Sequence, residues 1–247
     1  MADLTVTSVA TLIEQLKEVA HPDYGPPWYR GHANEEWQLL PCYHRLKSPL
    51  PERELMGRFR QHANPLVDRP PAVPHDFGWM FLMQHYGVPT RLLDWTESPL
   101  IALYFVVNDA SPASKRKDGA LWILYPLLLN RYSTREKSYI PSFDDDWLAN
   151  YSVPEYNKMK DNGILPIGAI ATRNSPRIQA QLGVFTISHL KKTPIEDIDN
   201  RGHCIKLVVP RAAKASIRQE LRALRIGRFQ LFPELASIGR AITEGRS

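Results

Sequence analysis

Four segments of strand character follow one another between Gly119 and Pro210: GALWILYP, GAIAT, GVFTIS and HCIKLVVP. Their β-branched and aromatic residues suit a pleated, buried surface. No regular βαβ alternation runs through them, so a doubly wound parallel sheet is excluded. Helix-periodic segments lie before and after. Leu12, Ile13, Leu16 and Val19 recur at helical spacing, and Leu55, Met56 and Phe59 share one face after the Pro51-Glu52 helix start. FGWMFLMQHY is helical up to Gly87, which suits a left-handed cap. KASIRQELRAL and PELASIGRAI are the last two helices. Two further extended pieces precede the run: Trp28 to Gly31, after the loop PDYGPP, and Val88 to Trp95, where Pro89 resists helix. The pattern predicts an α+β fold, one domain with a mixed or antiparallel central sheet and helices early and late. The loop around Pro112 to Asp118 is a candidate hinge, and no firm domain boundary interrupts the chain.

At 247 residues such a domain buries a substantial core. The formal charge of +5 is uneven: from Arg201 to Ser247 ten Lys and Arg face three Asp and Glu. A basic face of this kind can meet a polyanion, although a solvated helix face explains it equally simply. Cys42 and Cys204 are far apart and outside any C-x-x-C arrangement, which fits a reducing cytoplasm. The opening MADLTVTSVATLIEQLKE has no basic region ahead of an apolar core, and no apolar run reaches spanning length. A cytoplasmic location without a membrane partner is the expectation.

Phosphate-loop, dinucleotide, zincin and serine-elbow motifs are all missing, and the eight His show no paired metal spacing, so no metal is expected. Three other segments place polar residues where elements begin or end. In Trp28-Tyr29-Arg30-Gly31-His32 an arginine sits in a short aromatic strand, where burial demands an anion or a carboxylate. Gly31 beside it permits close approach of the backbone. In Gln84-His85-Tyr86-Gly87-Val88-Pro89-Thr90-Arg91-Leu92-Leu93-Asp94-Trp95-Thr96, donors, acceptors and aromatic rings crowd one junction, and Ser98-Pro99 then caps the helix LIALYFVV. Singly, each has a structural reading: His85 complements a helix dipole, and Arg91 pairs with Asp94. The third segment puts Arg177, Gln179 and Gln181 just before GVFTI, and Gln181 can serve simply to tie down a carbonyl.

YRG at 29–31, Trp37-Gln38-Leu39-Leu40-Pro41, HYGVPTRLLDWT at 85–96, ALYF at 102–105, RIQAQLGVFT at 177–186 and LFPEL at 231–235 resemble the FRG domain family of bacteria and phages. The resemblance runs from Trp28 to about Leu235. It divides the chain into an N-terminal helix and linker (1–25), an FRG-like domain (26–240) and a C-terminal tail (241–247). A remoter similarity, in the order of the three segments, is to the ADP-ribosyltransferases. It implies a fold of that type and NAD as substrate. Arg30, Asp94 and Gln181 would be the catalytic residues. Tyr29, Gly31, His85, Tyr86, Arg91, Trp95 and Thr96 would bind the nucleotide. Trp95 or Tyr86 would stack on a base or the nicotinamide. Gln181 departs from the glutamate usual at the third position, which removes a carboxylate from the expected site; Asp94 or Glu97 would then supply the negative charge. The similarity further implies a protein or nucleic-acid acceptor, an inhibitory partner protein, and a toxin or phage-defence role. The same pocket also suits a nucleotide- or nucleic-acid-binding module, or a metal-independent nuclease using His85 with Arg30 and Arg91.

Overall fold

The computed structural model describes residues 4–72, 76–108, 114, 116–135, 139–156, 158, 163–171, 175–234 and 239. Six strands, β1 (Trp28–His32), β2 (Leu92–Thr96), β3 (Gly119–Leu124), β4 (Ile167–Ala169), β5 (Gly183–Ile187) and β6 (Cys204–Val209), form one sheet in the order β4-β5-β2-β1-β3-β6. Every strand pair is antiparallel. The expected α+β class with a central antiparallel sheet is therefore the observed one. The ladders β1–β3, β3–β6 and β2–β5 are continuous, but β1 meets β2 at a single pair, Tyr29 opposite Thr96. The sheet is two half-sheets joined at that point. The N-terminal segment adds to the β6 edge: Val6 N donates to Val208 O and Val208 N to Leu4 O, both at 2.8 Å.

Ten helices accompany the sheet among the described residues: α1 (Val9–Glu18), α2 (Cys42–Arg45), α3 (Glu52–Ala63), α4 (Asp76–His85), α5 (Pro99–Asn108), α6 (Pro126–Thr134), α7 (Val153–Tyr156), α8 (Pro176–Ala180), α9 (Lys214–Ala223) and α10 (Arg228–Leu231). Ser8 caps α1 through Thr11 N, and the Thr11 side chain answers to the Ser8 backbone. Gly87, at φ 79°, ends α4 as its sequence position predicts. The expected PELASIGRAI helix lies largely outside the described residues, and so do residues 112, 113 and 115 of the expected hinge.

α5 is apolar around its whole circumference, and Ile101, Ala102, Leu103, Tyr104, Val106 and Val107 are all buried. It lies on β1, with α1 and α9 completing one core that includes Leu121, Ile123, Leu207 and Ile217. The opposite face packs Trp28, Leu93, Trp95, Trp122, Leu124 and Val184. A third cluster joins α3 and α4 to β2, β4 and β5 through Met56, Trp79, Met80, Met83, Phe143, Phe185 and Ile187. The split between β1 and β2 thus has α5 behind it and α4 along its other half.

Four histidines sit inside this fabric, His32, His44, His189 and His203, each at most 4% exposed, and three of them are shifted by it. Burial, with the Arg30 charge behind it, brings His32 down to about 3. Burial, helped by Arg91, brings His44 to about 4, and burial likewise lowers His203. Their folded-state values are below the free value of about 6.5, so the unfolded chain takes up protons that the fold refuses. Their contribution to stability is full above pH 6.5 and is lost as pH falls towards 4. The urea midpoint is expected to decline over that window, each ring contributing about 1.4 kcal/mol per pH unit while it titrates. Unchanged midpoints at pH 7.5, 6 and 5 would contradict this account.

Candidate functional site

A cavity of about 650 Å³ opens where the half-sheets part. Its wall includes Tyr29, Arg30 and Gly31 of β1, Gln84 and His85 of α4 with Tyr86 directly after it, then Asp94, Trp95 and Thr96 of β2, Phe105 of α5, and Arg177, Gln181 and Glu234. That volume is in the range of small-molecule and nucleotide sites.

Arg30 is fixed from two sides. Its Nε donates to His32 Nε2 at 3.0 Å, and Nη1 donates to the Asp94 carbonyl. His32 Nδ1 in turn donates to the Trp37 carbonyl at 3.1 Å, the tautomer that leaves Nε2 as the acceptor Arg30 needs. Burial lowers Arg30 to about 10, with the Asp94 charge acting against it, so the guanidinium stays charged at neutral pH. Its hydrogen bonds also reach across the seam from β1 to β2.

Asp94 faces away from the Trp95 side of β2 and its side chain is exposed. Gln84 Nε2 donates to Asp94 Oδ1 at 2.6 Å, while Thr90 Oγ1 donates to Gln84 Oε1. The carboxylate is therefore oriented by the end of α4. At the end of β2, Thr96 Oγ1 donates to the Gln181 carbonyl at 2.7 Å and accepts from Ser98 N at 3.1 Å. Glu97 N also donates to Leu182 O at 3.1 Å, so the end of the second segment is stitched to the third.

The third segment forms the short helix α8, and Gln181 is its C-cap. Gln181 Nε2 donates to Leu231 O at 3.0 Å, which is the tying role foreseen for its amide. Beyond Leu231 the chain crosses the cavity wall. Phe232 stacks against Arg177 and Arg228, with centroid distances of 5.0 and 5.3 Å. Glu234 Oε1 lies 3.6 Å from His85 Nε2 and 3.8 Å from Arg177 Nη1. Burial, and then the Arg177 charge, lower His85 against the pull of Glu234.

Arg30, Asp94 and Gln181, read from three distant stretches of sequence, thus line one cavity, as do Tyr29, Gly31, His85, Tyr86, Trp95 and Thr96. Tyr86 is 64% exposed and has a ring face to offer. Three placements differ from expectation. Arg91 is not on the cavity wall: it is wholly buried and bonded through Nε to Glu52 Oε2 at 2.5 Å. It pairs with that glutamate and not with Asp94. Trp95 keeps its ring in the core and donates Nε1 to Thr186 Oγ1 at 3.0 Å, so of the two rings expected to stack only Tyr86 is exposed. Gly31 is dictated by α5, because a Cβ there would stand 2.0 Å from Ala102 O. Glu234 and Arg69 belong to the wall and were not anticipated. Glu234 lay in the quoted LFPEL string, but nothing local to it announces a pocket.

Among the described residues, no group of three or more His, Cys, Asp or Glu is placed to hold a metal ion. No helix there is long and apolar enough to cross a membrane.

The first two segments fall inside a stretch that matches a known family model. Residues 26–115 match the model of the FRG domain, in support of the FRG family. That span carries β1, Arg30, the whole 84–96 junction and α5. No curated protein and no solved structure matches the chain.

Proposed function

We propose that the protein is an NAD-using enzyme of the ADP-ribosyltransferase or NAD-glycohydrolase type, acting in the cytoplasm on a protein, nucleic-acid or water acceptor. The observation that carries this reading is the convergence of Arg30, Asp94 and Gln181 on one cavity of about 650 Å³. Arg30 is pinned by His32 and by the Asp94 carbonyl, and offers a fixed positive charge to ribose or phosphate oxygens. Tyr86 offers a face for the nicotinamide or the base.

In the reaction the bond between C1′ of the ribose and the nicotinamide nitrogen breaks, and its electron pair leaves with nicotinamide. The leaving group departs neutral, so no general acid is demanded. The Asp94 carboxylate, held by Gln84, stabilises the oxocarbenium character that develops at the ribose, as carboxylates do in glycoside hydrolysis. The acceptor oxygen or nitrogen then bonds to C1′ and releases its proton. Since Gln181 has its amide on Leu231 O, it shapes the wall and does not supply charge.

The test is nicotinamide release from NAD by the purified protein, with and without cell extract as acceptor. Arg30→Ala is expected to lower release by at least about a hundredfold, the scale on which one preorganised charge acts. Absence of release, with no stabilisation by NAD in thermal unfolding, overturns the reading. Stabilisation without release identifies a nucleotide-binding module. That second reading is favoured by one observation, the amide where a carboxylate is expected at Gln181.

A further inference from the structure

Two nitrogen donors from separate elements, the His85 imidazole at the end of α4 and the Arg177 guanidinium on α8, converge on a single carboxylate oxygen, Glu234 Oε1. Neither approach is a hydrogen bond, at 3.6 and 3.8 Å. The oxygen is shielded from solvent and accepts no hydrogen bond. An anionic oxygen is therefore held beside the Arg177 charge and the His85 imidazole without a hydrogen bond to either, an arrangement costly to keep away from water. Arg177 is meanwhile oriented by its stack on Phe232, and Arg69 lines the same cavity. His85 adjoins the Arg30–Asp94 group, because Gln84, which holds Asp94, is its chain neighbour.

We propose that Arg177 and His85 form an anion subsite of the cavity which takes the diphosphate group of its ligand, at a position that the Glu234 carboxylate now holds as an internal competitor. A carboxylate presents two oxygens in one plane and reaches neither donor well. A diphosphate presents several oxygens spread in three dimensions and can accept from both donors at hydrogen-bond length. Binding then moves Glu234 off the two donors, so the segment from Leu231 to Glu234 opposes the ligand with a charge of the same sign. The proposal rests on the reading of the cavity as a nucleotide site, and it adds where the phosphates lie and what stands against them. Arg30 is left for the ribose end of the ligand.

The test is titration calorimetry with inorganic pyrophosphate, ADP, ADP-ribose and NAD on the full chain, comparing the native sequence with Glu234→Gln and Arg177→Gln. Glu234→Gln is expected to tighten pyrophosphate and ADP-ribose by on the order of tenfold, the effect of removing one partly screened competing charge. Arg177→Gln is expected to weaken both by a similar factor. Because the informative variant gains affinity, a folding defect cannot imitate the result. Unchanged or weaker binding in Glu234→Gln overturns the subsite, even where the native protein releases nicotinamide. Tighter pyrophosphate and ADP binding in Glu234→Gln, in a protein that neither binds nor cleaves NAD, upholds the subsite and overturns the NAD reading. The ADP and pyrophosphate arms separate a nucleoside diphosphate ligand from an inorganic one.

Discussion

Replacement of Glu52 by alanine is expected to lower the unfolding free energy by about 3–5 kcal/mol, the loss usual when one member of a buried ion pair is removed. Glu52 and Arg91 have fully buried side chains. The Arg91 Nη1 and Nη2 donate to Ser188 O and Tyr151 O, each at 2.6 Å, and its backbone N donates to Glu52 Oε1 at 3.2 Å. One side chain therefore joins α3, the start of β2, the end of β5 and the segment before α7. Without Glu52 the buried guanidinium loses its carboxylate partner while the Ser188 and Tyr151 carbonyls stay. The double variant Glu52→Leu/Arg91→Met is expected to be more stable than either single replacement, because no uncompensated charge remains. Urea unfolding of the four proteins checks this. Additive losses in the double variant would show that the pair is not the coupled unit described.

Gly31→Ala is expected to be as damaging, for a steric reason. The added Cβ would stand 2.0 Å from Ala102 O and 2.9 Å from Val106 N, both backbone atoms of α5. Six side chains of α5 are buried in the core it shares with β1, α1 and α9, so its backbone cannot retreat without disturbing that packing. The expected loss is about 3 kcal/mol or more, at or beyond the upper end for overpacking. Gly57, in the middle of α3 with no atom near its missing Cβ, is the control. Gly57→Ala is expected to be neutral or to stabilise by up to about 1 kcal/mol. If the two substitutions cost the same in thermal or urea unfolding, the close packing of β1 on α5 is not what fixes Gly31.

The sheet and its flanking helices were legible because each strand is a run of β-branched and aromatic residues, and each long helix has its period and its stops. α6 and α8 were not read as helices. Pro126 looked like the end of GALWILYP, while in the structure it is the first residue of α6. α8, at five residues, is too short to show a period. Inside HYGVPTRLLDWT, crowding of polar residues was mistaken for a common orientation. Strand alternation sends Asp94 to one face and its neighbour Trp95 into the core, while Arg91, just before the strand, turns inward to Glu52. Glu234 was beyond reach for another reason. It meets His85 across about 150 residues, and no local pattern encodes such a meeting.

The lone Tyr29–Thr96 pair between the half-sheets has a mechanical consequence. The long ladders on either side are continuous, and each is expected to be a plate stiffer than the joint between them. A change in the angle between the plates strains one backbone pair and the Arg30–Asp94 bond beside it, and leaves every other strand pair intact. The cavity mouth can therefore breathe by rotation about that joint. Its width is set by the helices braced across the seam, α5 and α4, and by the side chain of Arg30 acting as a tie rod between the plates.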